Sequence, residues 1–148
     1  MAHIHDTILV KAPVDKVFAI GRDPRRWGNW WVNQAKPRRV RGHGSVGTVL
    51  NCRHLVAGQD LPLKMKVLVD RFDNDGSGHW WAALGGRLNG RQHWDYLPCE
   101  GGTQVIADID LVPAKRVTND TTDSANIERM EREAIHQTLE NLKFMFEQ

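Results

Sequence analysis

The stretch "LKMKVLVDRFD", residues 63–73, decides the fold because its side chains alternate as they do along a β-strand. Met65, Val67, Val69 and Arg71 fall on one face, and polar residues hold most of the other. A strand with one apolar face covers that face with a core, so three apolar side chains lead to an arginine on the core side. Arg71 therefore either turns its guanidinium into the interior or lays its stem on apolar surface with its head in water.

Stretches of the same kind surround this one and are separated by Gly, Pro, Asn and Asp. The pattern predicts six consecutive short strands at roughly 8–13-residue spacing, which is typical of an antiparallel meander. An earlier strand is predicted over "HIHDTILVKAP", which makes seven. Two short helices, "APVDKVFAIGRD" and "DPRRWGNWW", follow it before the meander begins.

The C-terminal part has a helical pattern instead. One helix of about 24 residues, roughly 36 Å long, is predicted from Asp123 to Glu147, with Asp123 and Ser124 as candidate caps. The apolar stripe of this helix is predicted at Ile127, Met130, Ala134, Leu139, Leu142, Met145 and Phe146. A curved sheet that packs on such a helix makes an α+β fold and leaves an apolar cavity between the two.

Composition limits the classes of function. A net charge of +2 on 148 residues gives no general attraction to nucleic acid, so no nucleic acid partner is expected. We expect a cytoplasmic protein, because the sequence shows no signal peptide and no transmembrane segment. His3 and His5 share a strand face without an evident third ligand, so neither a metal nor another cofactor is predicted. The six tryptophans suit either a core or a pocket for a flat apolar ligand.

The N-terminal stretch "VKAPVDKVFAIGRDPRRWGNWW", residues 10–31, carries a family resemblance. It resembles the front motif of the helix-grip superfamily of START and pollen-allergen-like proteins (SRPBCC), and "GGTQV" at 101–105 is a second shared feature. The resemblance implies a single domain over residues 1–148. In that domain a seven-stranded curved antiparallel sheet, two short helices and a long C-terminal helix enclose an apolar cavity. It also implies a small hydrophobic ligand.

Within this superfamily the chain looks most like bacterial polyketide aromatase/cyclases (the polyketide cyclase/dehydrase family). Trp27, "RQHWDYLPCEGGTQV" at 91–105 and "SANIERMERE" at 124–133 carry the likeness. "VDRFDNDG" at 69–76 aligns Arg71 with the arginine that is held to be catalytic in that family. The family has tryptophans where Met65 and Val67 stand here.

The resemblance and the alternation together give the candidate site. Arg71 is predicted to stabilise developing negative charge, and Tyr96 to donate to the same oxygen or hold a water. Each has a structural alternative, a solvated arginine and a core tyrosine. The predicted substrate-binding residues are Trp27, Met65, Val67, Val69, Trp81, Gln92, Trp94 and Asn126. Trp81 depends on a strand register that the sequence does not fix, and Asn126 is equally suited to a local cap.

Three functions remain open. The first is a cyclase or aromatase that promotes aldol cyclisation and dehydration of an apolar, carbonyl-rich ligand. The second is a non-catalytic carrier of a lipid, quinone or isoprenoid, and the third is a protein-binding module. A basic stretch from Arg22 to Arg41 could attract an acidic acyl carrier protein or an anionic membrane, or could simply be a solvated face. Its cations are Arg22, Arg25, Arg26, Lys36, Arg38, Arg39 and Arg41.

Overall fold

The structure is a computed structural model, and it describes residues 2–34, 37–41, 45–56, 59–86, 88–113 and 124–147. Its elements, in chain order, are β1 (Ala2–Val10), α1 (Val14–Gly21), a 3₁₀ helix (Pro24–Asn29), β2 (Arg38–Arg41), β3 (Val49–Val56), β4 (Gln59–Phe72), β5 (Gly78–Gly86), β6 (Leu88–Cys99), β7 (Gly102–Pro113) and α2 (Ser124–Met145). The predicted cap Asp123 lies outside the described residues.

The strands form one antiparallel sheet in the order β1-β7-β6-β5-β4-β3-β2. Strands β2 to β7 pair each with the next along the chain, and β1 joins the free edge of β7. Helix α2 packs against β1 and β7 at one side of this order and reaches β3 at the other. The predicted α+β architecture, a curved antiparallel sheet with a C-terminal helix, is confirmed. The enclosed cavity stays a prediction.

The face that α2 buries differs from the predicted stripe. Met130 is 37% exposed and Ala134 is only half-buried, so the stripe was placed wrongly at these two positions. The side chains that α2 buries are Ile127, Glu131, Ile135, Thr138, Leu139 and Leu142. A stripe chosen by apolarity alone passes over Glu131 and Thr138, yet both lie at the three- and four-residue spacing of the buried face. The helix therefore carries a carboxylate into the interior.

A β-bulge in β4 decides which of its side chains face the core. Before the bulge, Met65 and Val67 are buried opposite Leu84 and Ala82 on β5. The register then shifts between Val67 and Val69, which leaves one extra residue in β4. An inserted residue exchanges the two faces of everything that follows it in the strand. The alternation that opened the sequence analysis therefore ends in the middle of that stretch.

Helix α1 is fixed against the sheet by a close approach at its last residue. A Cβ atom built on Gly21 would lie 2.7 Å from the Cζ atom of Tyr96, whose ring is buried on β6. The same ring contacts Phe18 on α1 edge-on, with ring centroids 5.3 Å apart. Only a residue without a side chain lets the helix end pack so tightly on the tyrosine.

We therefore predict that Gly21→Ala lowers the free energy of unfolding by about 1–3 kcal/mol, because the added methyl group overpacks the contact with Tyr96. Urea denaturation followed by circular dichroism measures the change. Gly28→Ala is the matched control, since a Cβ on Gly28 meets nothing within 4 Å. Equal stability of the two variants would contradict this packing.

Candidate ligand site

Most of the predicted ligand-site residues lie in the interior on the concave side of the sheet. Tyr96, offered as a donor, is buried among them, and burial raises the pKa of its hydroxyl, so the group keeps its proton at neutral pH. The other predicted residues that are at least 98% buried are Trp27, Met65, Val67, Gln92 and Trp94. Their burial places them in the core but does not test a role in binding.

Arg71 was predicted to face the interior, and this prediction is wrong because its side chain faces outward. Its side chain is 57% exposed, and its Nε donates to Asp73 Oδ1 over 2.8 Å at the surface. The cause is the bulge, which turns Val69 and Arg71 to the outer face and pairs them with Trp81 and His79. Val69 and Trp81 are half-buried on that outer face, so neither lines the interior as predicted. A guanidinium in this position cannot meet an oxygen inside the protein.

Asp70 takes the place that the alternation had given to Arg71. It lies opposite the buried Trp80, and its side chain is 5% exposed. Arg22, just after α1, donates from Nε and Nη2 to the two carboxylate oxygens of Asp70, the first bond being 2.8 Å long. This bidentate pair ties α1 to β4 and raises the pKa of the guanidinium through the hydrogen bond to Asp70.

Asn126, predicted to contact the ligand, is half-buried near the start of α2. It accepts a hydrogen bond from Arg129 at 3.1 Å, which is a contact within the helix.

In the basic stretch from Arg22 to Arg41, Arg25 and Arg26 form ion pairs with Asp23. The side chains of Lys36, Arg38, Arg39 and Arg41 lie outside the described part of the structure.

Five tryptophans from three elements meet in the interior. Asp23 caps the 3₁₀ helix by accepting from the backbone N–H of Arg25, and this tight turn brings Trp27, Trp30 and Trp31 inward. They meet the two tryptophans of the central strands, and the centroids of neighbouring rings lie 5.0–5.8 Å apart. The cluster, called here the tryptophan cluster, consists of Trp27, Trp30, Trp31, Trp80 and Trp94.

The indole N–H groups of this cluster divide into two kinds. Trp27 Nε1 donates to the Gly21 carbonyl at 3.0 Å, and Trp94 Nε1 donates to Gln92 Oε1 at 3.1 Å. The Nε1 atoms of Trp30, Trp31 and Trp80 are buried without an acceptor anywhere in the described ranges. A buried donor left unpaired costs about 1–3 kcal/mol. The tryptophan cluster therefore contains three unpaired N–H donors, and each can bind an acceptor atom of a ligand that enters the cluster.

A buried polar cluster lies beside the tryptophans, where α2 faces β3. His54 on β3 and Glu131 on α2 are each 2% exposed, and a hydrogen bond of 2.8 Å joins His54 Nε2 to Glu131 Oε1. The amide nitrogen of Asn33 donates to both oxygens of Glu131, at 3.1 and 3.2 Å. On its other side, His54 Nδ1 lies 2.8 Å from Gln34 Oε1. Asn33, Gln34, His54 and Glu131 are named the polar cluster below.

The segment that carries Asn33 and Gln34 continues directly from the tryptophan cluster. It is held from both sides, because Val32 N donates to Thr138 Oγ1 on α2 and Leu55 N donates to the Asn33 carbonyl. Cys52 borders it on the buried face of β3, and burial raises the pKa of this thiol to about 12, so it stays protonated. The aromatic and polar clusters are therefore parts of one interior.

The polar cluster is poorly explained as a means of stabilising the fold. Removing an imidazole and a carboxyl group from water costs free energy in either protonation state, and well-packed apolar residues in their place are often as stable or more so. Two atoms in the cluster also remain poorly satisfied, since Asn33 Oδ1 has no partner among the described residues and Gln34 has only the Cys52 thiol, a weak acceptor, beside Nε2. A half-satisfied buried network is the kind of feature that a functional site retains.

A second polar network, on the outer face, has the composition of a catalytic triad. His79 Nε2 lies 3.1 Å from Ser77 Oγ, and His79 Nδ1 lies 2.6 Å from Asp95 Oδ1. Ser77, however, is 3% exposed and donates its hydroxyl proton to Asp75, which also accepts from the Ser77 backbone. A buried serine committed to a carboxylate lacks the access and the activation of a nucleophile. The network stabilises the turn between β4 and β5.

The residues of the polar cluster were missed in the sequence, although a signal for them exists. His54 follows Leu50 and Cys52 at two-residue spacing, so it belongs to the buried face of β3. Glu131 lies midway between Ile127 and Ile135 on the buried face of α2. A histidine in a strand's apolar face and a glutamate in a helix's apolar stripe together indicate a buried acid–base pair.

Two general findings concern the described ranges. None of the helices there combines the length and the apolarity that a membrane span requires. No group of three or more His, Cys, Asp or Glu side chains in those ranges has the arrangement of a metal site.

The fold and the site define a class of protein, an α+β helix-grip protein with an aromatic interior and a buried polar cluster where α2 faces the sheet. The sequence profile of the family described as "Polyketide cyclase / dehydrase and lipid transport" matches residues 1–147, so the chain belongs to this family. The predicted resemblance is thereby confirmed, and family and fold together support the binding of a hydrophobic ligand. No curated protein matches the sequence.

Solved structures agree on the fold. A START superfamily protein from Mycobacterium smegmatis superposes with a TM-score of 0.74 at 14% identity, over 99% of this chain and 98% of that one. A protein from Thermus thermophilus superposes with a TM-score of 0.76 at 14% identity, over 96% of this chain and 94% of that one. The allergen Ara h 8.0201 superposes with a TM-score of 0.67 at 10% identity, over 97% of this chain and 96% of that one. At such identities the likeness establishes the fold alone.

A double-mutant cycle tests the buried pair. We predict that His54→Leu lowers the free energy of unfolding by about 3–5 kcal/mol because it leaves the buried Glu131 without its histidine partner. The double variant His54→Leu/Glu131→Leu should lose less stability than the sum of the two single variants, because neither polar partner is then left behind in the interior. Urea denaturation measures all four proteins.

The control cycle uses Glu128 and Arg132, an exposed ion pair of 2.9 Å on the same helix. Its coupling energy should stay below about 0.5 kcal/mol. A His54–Glu131 coupling as small as this would contradict the buried pair.

Proposed function

We propose that the protein binds an apolar ligand that carries carbonyl oxygens, between the sheet and α2. The observation that carries the proposal is the set of three buried indole N–H groups without acceptors, on Trp30, Trp31 and Trp80. Aromatic rings supply a large apolar contact area, and N–H groups can bind only to an acceptor. Membership of a family described by cyclisation, dehydration and lipid transport supports the same class of ligand.

The inward residues that the sequence analysis singled out take roles in this proposal. Trp27, Met65, Val67 and Trp94 would form apolar walls around the ligand. Gln92 accepts from Trp94 Nε1 and would hold that ring in its orientation. Tyr96 keeps its hydroxyl proton and would be a further donor toward a carbonyl oxygen.

The narrower function proposed is aldol cyclisation and dehydration of the bound ligand. The observation that favours it is the buried His54–Glu131 pair, since ring closure requires proton transfer inside a site that excludes water. Arg71 has no part in this version, because its guanidinium lies in water. The non-catalytic alternative, carriage of a lipid, quinone or isoprenoid, needs the same walls and donors without turnover.

An acidic acyl carrier protein is the partner that a cyclase of tethered polyketides would need. Arg25 and Arg26 are its candidate contacts here, with side chains 83% and 52% exposed. Their pairing with Asp23 reduces the net charge that they present. The proposal of an acyl carrier protein as partner is therefore supported only by the basic composition of this stretch.

The binding proposal predicts a preference for an acceptor. Titration calorimetry should show 2-acetylnaphthalene binding about fivefold more tightly than 2-ethylnaphthalene, because one buried hydrogen bond contributes about 1 kcal/mol. Replacing Trp30, Trp31 and Trp80 singly by Phe keeps an aromatic ring and removes one donor. At least one of these variants should lose the preference.

Trp81→Phe is the matched control, because Trp81 lies on the outer face and its Nε1 donates to Asp95 at 2.9 Å. It should bind both compounds as the wild type does. Equal affinity of the wild type for the two naphthalenes, or binding of neither, would contradict the proposal.

The cyclase version predicts turnover. Incubation with a linear poly-β-ketone, free or attached to its carrier protein, should give aromatic products by liquid chromatography and mass spectrometry. Tyr96→Phe and His54→Gln should lower the rate of product formation at least tenfold, whereas Arg71→Ala should stay within twofold of the wild type. If the wild type binds the ligand but forms no product, the cyclase proposal is wrong and the carrier function replaces it.

A further inference from the structure

Two amide side chains of the polar cluster are oriented by hydrogen bonds to their neighbours. The Asn33 amide nitrogen donates to both carboxyl oxygens of Glu131. Its Oδ1 then points away from Glu131, and it is buried without a partner in the described ranges. Gln34 Oε1 lies 2.8 Å from His54 Nδ1, and Gln34 Nε2 has no acceptor in the described ranges besides the weakly accepting Cys52 thiol.

The outcome is one free acceptor and one weakly paired donor on adjacent residues. Both side chains are at least 95% buried, and one residue, Val32, separates them from Trp30 and Trp31 in the sequence. A ligand group that offers an acceptor to one of these atoms and a donor to the other would satisfy both. A carbonyl oxygen would accept from Gln34 Nε2, and an O–H or N–H would donate to Asn33 Oδ1.

We propose that Asn33 and Gln34 recognise a ligand group that combines a carbonyl oxygen with a neighbouring hydroxyl or N–H, as in an amide or a hydroxy ketone. In this recognition His54 and Glu131 are positioning residues, because each contacts one end of an amide side chain and leaves the other end to the ligand. Their proton transfer belongs to the cyclase version alone. The inference rests on the proposed function and deepens it. The indole donors serve carbonyl groups in general, and the two amides add a requirement for a donor on the ligand.

The requirement separates ligands that are similar in shape. 2-Naphthamide and 2-(hydroxyacetyl)naphthalene carry both a donor and an acceptor, whereas 2-acetylnaphthalene carries the acceptor only. The proposed contact would favour the first two, since a site built to bind a donor discriminates against the analogue that lacks it. The amide and the hydroxy ketone represent two sources of the same chemistry, and comparing them shows which one the site prefers.

The test measures the dissociation constant of 2-acetylnaphthalene divided by that of each donor-bearing compound. This ratio is determined for the wild type, for Gln34→Met and for Asn33→Leu. Comparing the ratio between proteins cancels differences in the solvation of the compounds. We expect the ratio to fall about tenfold in each variant for at least one donor-bearing compound. Gln104→Met, which removes an exposed amide from β7, is the control and should leave the ratio unchanged.

The positioning role has its own readout. In Glu131→Gln the new amide can face Asn33 with either end, so Asn33 is no longer held in one orientation. The ratio should fall, and the side-chain NH₂ resonances of Asn33 in a ¹H–¹⁵N spectrum should move toward those of a solvent-exposed amide. Retention of both the ratio and the resonance positions in this variant would overturn the positioning role.

A spectrum of the wild type keeps the proposal testable if a variant fails to fold. The side-chain NH₂ resonances of Asn33 and Gln34 should shift on addition of the preferred donor-bearing compound and stay in place with 2-ethylnaphthalene. If 2-acetylnaphthalene binds but these resonances do not respond to either donor-bearing compound, the inference is wrong and the proposed function stands. If no naphthalene binds at all, the proposed function itself fails.

Discussion

The hydrogen bond between His54 and Glu131 is the interaction on which the arrangement of the interior depends. It joins β3 to α2 across the core, and Asn33 and Gln34 complete it from the segment that lies between them. That segment follows directly on Trp30 and Trp31, so fixing it also fixes part of the tryptophan cluster. A buried histidine–glutamate pair is an expensive way to attach a helix, and apolar packing would do it as well. Its presence is better explained by the polar atoms that it orients.

The two interior clusters complement each other in chemistry. The aromatic cluster supplies apolar area and three unpaired donors, and the polar cluster supplies one weakly paired donor and one unpaired acceptor. Each of these groups lowers the stability of the protein alone, and each is suited to an apolar guest with a few polar atoms. The family to which the chain belongs is described by polyketide cyclisation, dehydration and lipid transport, and the proposed ligand is hydrophobic in the same way.

The sequence predicted the architecture because strand alternation, turn residues and the N-terminal motif agree with one another. It predicted the inward positions of Met65 and Val67 for the same reason. It failed at Arg71, because one inserted residue at the bulge exchanges the faces of a strand, and no residue pattern in "KVLVD" announces the insertion. It also passed over Glu131, because a charged residue in a helix is ordinarily assigned to solvent. Pairing with His54 reverses that assignment, and such pairing depends on contacts that are distant in sequence.

The central claim is that a ligand completes the unpaired polar groups of the interior. A crystal structure of the protein grown with 2-acetylnaphthalene tests it most directly. The account predicts that the carbonyl oxygen lies within about 2.7–3.2 Å of Nε1 of Trp30, Trp31 or Trp80, with the rings around the naphthalene. A structure in which ordered waters bond all three Nε1 atoms, and the compound is absent from the interior, would contradict it.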